Sequence, residues 1–111
     1  MKASHGLTNE TVEQISDVFA HFPEVEKAVL YGSRAKGNYK PGSDVDLTLL
    51  GAEVTSKILG QIRSELDDGL LPYTFDVSIF SEIKQADLLE HIRRVGVVFY
   101  QKQPLTDGMK K

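Results

Sequence analysis

Three aspartates and one glycine-serine pair are the residues of this 111-residue chain whose types and spacing can do chemistry. From Asp44 to Leu50 the sequence alternates strictly, with Asp44, Asp46 and Thr48 on one side and Val45, Leu47 and Leu49 on the other. Side chains in a strand have a period of two, so both carboxylates share a face. Two acids so placed can hold a hard cation such as Mg²⁺, which prefers oxygen ligands. Asp76 stands in a second alternating run, Thr74 to Phe80, and faces away from Phe75, Val77 and Ile79. It can close the same site from a separate strand, and without a cation the three carboxylates would repel one another. Gly32-Ser33 ends a short apolar run and lets backbone N–H groups and a hydroxyl approach phosphate oxygens closely. Arg34 and Lys36 add positive charge beside that corner, and Ser43 adds a hydroxyl next to Asp44. The candidate metal-binding and catalytic set is Asp44, Asp46 and Asp76; the candidate nucleotide-binding set is Gly32, Ser33, Arg34, Lys36 and Ser43. In a two-metal arrangement, with ions roughly 3.5–4 Å apart, Asp76 sits where a ligand and general base for an attacking hydroxyl is needed.

The elements that must position these residues follow from hydrophobic periodicity. Val12, Ile15, Val18, Phe19 and Phe22 recur at helical spacing, with Thr8 and Asn9 as candidate caps and Pro23 as a stop. Lys27 to Tyr31 predicts a buried strand ending at Gly32. Val54, Ile58, Leu59, Ile62 and Leu66 form one stripe of a helix that Asp67-Asp68-Gly69 ends. Ser81 is placed to cap a further helix carrying Ile83, Ala86, Leu89, Ile92 and Val95, and Val97 to Tyr100 predicts a last strand. The expected fold class is therefore α/β (α+β), with one small mixed sheet flanked by helices.

Size and composition bound the answer. The chain fits one domain over 1–111, with its core in 25–100 and a polar tail over 101–111. A net charge of −3 argues against a protein that coats nucleic acid, so no direct nucleic-acid partner is expected. With no cysteine there are no disulfides and no thiolate metal ligands, which suits a reducing cytoplasm. No apolar stretch approaches the length of a membrane span, and no membrane association is expected. His5, His21 and His91 lack ligand spacing and read as surface or helix residues, while Tyr31, Tyr39, Tyr73 and Tyr100 read as packing near strands.

Gly32-Ser33, a ten-residue interval and Asp44-Val45-Asp46, with Phe75-Asp76-Val77 later, resemble the nucleotidyltransferase superfamily of DNA polymerase beta, and most closely its minimal (MNT) domains. The surrounding Gly-Ser-Arg-Ala-Lys-Gly and Pro-Gly-Ser-Asp-Val-Asp-Leu, and the ending from Ile92 to Tyr100, are similar to those of minimal members. The resemblance implies that Gly32 and Ser33 hold the triphosphate of ATP, that Asp44 and Asp46 bind Mg²⁺, and that Asp76 is the third carboxylate and base. It implies the polymerase-beta-like fold, and transfer of AMP to an acceptor hydroxyl. Larger relatives carry an additional acceptor domain. A chain this short would borrow that surface from a partner, as minimal members do from a helical HEPN toxin that they neutralise as antitoxins, or from a second copy in a homodimer. A non-catalytic antitoxin that acts by binding, and an enzyme modifying a small molecule such as an antibiotic, are the competing expectations.

Overall fold

The computed structural model describes residues 6–102. Helix α1 spans Asn9–Ala20 and starts where Thr8 Oγ1 accepts the Thr11 N–H at 3.1 Å. Its stripe buries Ile15 and Phe19 completely. Strand β1 (Lys27–Tyr31) runs into the short helix α2 (Gly32–Lys36), which ends at Gly37 in the left-handed region, φ 92°, where glycine carries no side-chain penalty. Strand β2 (Val45–Leu50) is followed by α3 (Ser56–Asp68), capped by Thr55, and by β3 (Phe75–Ile79). Helix α4 (Ala86–Val95) and strand β4 (Val97–Gln101) complete the fold.

The four strands form one sheet in the order β3-β2-β1-β4. β1 is antiparallel to β2 and β4, whereas β2 and β3 are parallel, so the sheet is mixed as the sequence predicts. Register assigns every strand residue to a face. Ala28 opposes Leu49, Leu30 opposes Leu47, and Leu47 opposes Val77, so the apolar set lies on one side. There it packs with Ile15, Phe19, Ile62 and Leu66 into the core, which places α1 and α3 on that face. On the opposite side Tyr31, Asp46 and Asp76 lie in one row, and Val29, Thr48 and Ser78 in the next.

Two expectations change. Ser81 caps no α-helix: Phe80–Glu82 is a single 3₁₀ turn in which Ile83 N–H bonds the Phe80 carbonyl at 3.1 Å. Ile83 and Gln85 are then extended, so α4 begins at Ala86, and Gln85 caps it without a side-chain bond. The polar tail also starts later than expected. Gln101 pairs with Lys27 in the sheet, and Lys102 bonds the Glu26 and Pro23 carbonyls through its backbone N–H and Nζ. Residues 103–111 of that tail, like His5, lie outside the described residues. None of the described helices is long and apolar enough to cross a membrane.

Candidate active site

Two of the three aspartates come from adjacent strands, and Asp44 lies immediately before one of them. Asp46, in β2, is the in-register partner of Asp76 in parallel β3, so their Cα atoms are separated by about one inter-strand spacing, ~4.8 Å. Asp44 precedes the first residue of β2 and is exposed, as is Asp76, while Asp46 is half-buried between them. Asp46 senses both neighbours. Burial, and then the charges of Asp76 and Asp44, raise its carboxyl from 3.8 to about 6.

The glycine-serine corner closes on the same carboxylate. Gly32 has φ 78°, and a Cβ built there would lie 2.2 Å from Asp46 Oδ2. Any side chain would displace the acid, and most would strain the backbone as well. The cradle is thus shaped by Asp46 itself, opposite Tyr31 in the β1–β2 register. Tyr31 is buried beside Asp46 in the same row. Burial pushes its phenol above the usual range; a hydrogen bond with Ser78 opposes that rise, and the charges of Asp76 and Asp46 add to it. Ser78 Oγ in turn donates to Thr48 Oγ1 at 3.0 Å, so hydroxyls satisfy one another under the site.

The two basic residues after Ser33 part company. Lys36 is exposed in the last turn of α2 and is available to an anion. Arg34 is only 2% exposed. Its Nε and Nη2 both donate to the Ser43 carbonyl, at 3.2 and 3.1 Å. Its guanidinium carbon lies 5.2 Å from the ring centroids of both Tyr39 and Tyr73, within cation–π range. Arg34 thereby ties α2 to the residue before Asp44 and to the segment leading into β3. Ser43 also serves the loop, its Oγ accepting the Lys40 N–H at 2.8 Å.

His91 and Tyr31 are the residues that sequence reasoning left in the background. His91 Nε2 accepts the Gly32 N–H at 3.0 Å, and its ring meets the Tyr31 ring edge-on at 6.2 Å. The first amide of the corner is therefore held by a side chain 59 residues away. A cleft lined by Gln85, Ala86, Asp87, Leu88 and His91 opens beside it. No local spacing signals this contact. His21 keeps its surface reading and pairs with Glu65.

The donor set suits Mg²⁺. All three acids offer hard oxygens, and their mutual repulsion favours a cation between them. Among the described residues no three His, Cys, Asp or Glu side chains are already gathered as a metal cluster. Mg²⁺ commonly takes only one or two carboxylates and completes its shell with water and substrate phosphate, so a preformed triad is not required.

The sequence model of the family described as polymerase beta, nucleotidyltransferase, matches residues 13–105. The chain belongs to this family. A relative from Methanocaldococcus jannaschii, named provisionally as a protein adenylyltransferase, is 29% identical over 85 residues. That match covers 75% of this chain, and the chain spans 62% of the relative's length. Among solved structures, a toxin-antitoxin crystal structure with AMP-PNP aligns with a TM-score of 0.66 at 18% identity, covering 83% of this chain and 74% of the other. A tri-AMPylated Shewanella oneidensis HEPN toxin in complex with an MNT antitoxin aligns at 0.55 and 17% identity, covering 86% and 70%. At these identities the likeness is one of fold, and it extends the polymerase-beta-like assignment to the mixed sheet and its helices.

Proposed function

We propose that the chain is a Mg²⁺-dependent nucleotidyltransferase that moves AMP from ATP to a hydroxyl on a helical HEPN-type partner, which it thereby neutralises. The observation that carries the reading is the register of β1, β2 and β3, which lines up Asp46 with Asp76 and sets Gly32 against Asp46. The names of the M. jannaschii relative and of the S. oneidensis complex support adenylyl transfer and a HEPN partner.

In this reading Asp44 and Asp46 hold Mg²⁺, with Asp76 as a further ligand. The cation supplies charge neutralisation at the triphosphate and lowers the pKa of the acceptor hydroxyl. Ser33 and the backbone of the corner hold phosphate oxygens, and Lys36 adds positive charge from the end of α2. A carboxylate oxygen of Asp76 takes the acceptor's proton. The acceptor oxygen bonds to the α-phosphorus as the bond to the β-phosphate breaks, and pyrophosphate leaves. The exposure of Asp44 and Asp76 suits an acceptor brought by another molecule. The absence of cysteine suits the same chemistry in the cytoplasm.

A binding-only antitoxin is the second reading, favoured by the exposed Val97 and Val98 on edge strand β4. The test is incubation of the chain with labelled ATP, Mg²⁺ and the product of the neighbouring gene. Label on that product, lost in Asp44→Asn, is the expected result. Full neutralisation by a doubly substituted Asp44→Asn, Asp46→Asn protein would favour binding alone. Label on an aminoglycoside without any partner would favour a small-molecule acceptor.

A further inference from the structure

A glycine corner is permissive by nature, because the residue that allows φ 78° allows many other angles as well. Something outside the corner must select the orientation of its amides. Three observations identify that element as α4. The Gly32 N–H is aimed at His91 Nε2, 3.0 Å away. The imidazole is steadied by its edge-on contact with Tyr31, itself only 7% exposed and directly before the corner. The helix bearing it is anchored by buried Ile92 and by Gly96, where a Cβ would come within 2.8 Å of Val29 Cγ1.

We propose that His91 is a positioning residue: as hydrogen-bond acceptor for Gly32 it sets the peptide orientation of the corner, and with it the triphosphate site. Accepting at Nε2 requires the neutral tautomer with its proton on Nδ1. The Gly32 amide is thereby turned towards α4, and the Ser33 hydroxyl and following backbone are presented to phosphate oxygens. The inference rests on the nucleotide-binding reading of the corner. Its structural half, the hold on the Gly32 amide, can be tested without any nucleotide.

Glutamine separates the hydrogen bond from the ring. Its Oε1 is as many bonds from the backbone as the imidazole Nε2, and it accepts without aromatic packing. In the full chain, amide hydrogen exchange at Gly32 is measured by NMR for wild type, His91→Gln and His91→Ala. His91→Ala is expected to speed exchange at Gly32 about tenfold, and His91→Gln to stay within about threefold of wild type, as suits the loss or retention of one hydrogen bond. With ATP and Mg²⁺, His91→Ala is expected to raise KM for ATP roughly tenfold with kcat nearly unchanged, and His91→Gln to recover it, because a corner that grips ground state and transition state alike acts on binding. Unchanged Gly32 exchange in His91→Ala would overturn the proposal. So would equal damage in His91→Gln, which would assign the role to the ring. If wild type takes up no ATP, the nucleotide reading fails, while the exchange result still decides whether His91 orients the corner.

Discussion

The two faces of the sheet obey different rules although they share every strand. Under α1 and α3, Leu30, Val45, Leu47, Leu49 and Val77 are fully buried in a continuous apolar layer. On the other face the same strands carry Tyr31, Asp46, Thr48, Asp76 and Ser78, stacked in two polar rows. The first face gains stability from burial. The second gives stability up, since burial of the Asp46 carboxyl, and then the like charges of Asp76 and Asp44, raise it to about 6.

The contrast is most sharply broken at Asp46. Asp46→Asn is expected to lower nucleotidyl transfer by on the order of 10²-fold or more, as removal of a group acting on transition-state charge does, measured by label incorporation. The same substitution should not weaken the fold. Between the ordinary carboxyl value of 3.8 and about 6, the folded chain keeps a proton on Asp46 that the unfolded chain has lost. The stability this group contributes therefore declines as pH rises through that window. In melts without divalent cation, Asp46→Asn is expected to match wild type near the bottom of the window and to exceed it above, with added Mg²⁺ narrowing the gap. A variant that melts lower at neutral pH would break the comparison.

On the apolar face the expectation is inverted. Leu47→Ala should cost about 3–5 kcal/mol by denaturant titration, the range for a fully buried leucine, and any activity loss should track the unfolded fraction. Arg34→Ala, which removes both bonds to the Ser43 carbonyl and the contacts with Tyr39 and Tyr73, should cost about 1–3 kcal/mol. It should also weaken Mg²⁺ binding by calorimetry, because the loop delivering Asp44 loses its tie. The smallest stability effect belongs to exposed Lys36: Lys36→Ala should change the melt by less than about 0.5 kcal/mol, and its signature should be a higher KM for ATP.

Periodicity made most of the architecture legible. Every strand followed an alternating or short apolar run, and α1 and α3 followed their apolar stripes. The start of α4 did not, because Ile83 fits helical spacing yet the chain first makes a 3₁₀ turn over Phe80–Glu82. At the candidate site, residue type and spacing singled out the acids and the corner that the register brings together. Partners that meet only in three dimensions stayed hidden. Arg34 and Lys36 look equivalent in the sequence, and the Ser43 carbonyl, Tyr39 and Tyr73 gathered around one guanidinium separate them. His91 was likewise invisible, because its hydrogen bond spans 59 residues.

The pairing of β2 with β3 has one last consequence. Sliding β3 by a single residue would turn Val77 and Ile79 out of the oil and swing Asp76 into it, while a slip of two would carry the acid about 7 Å along its neighbour. Small drifts in the spacing of the acids are therefore penalised by the whole hydrophobic layer rather than by any local contact. Reactive geometry here inherits the cooperativity of folding, so the chain can lose its alignment only by losing its shape.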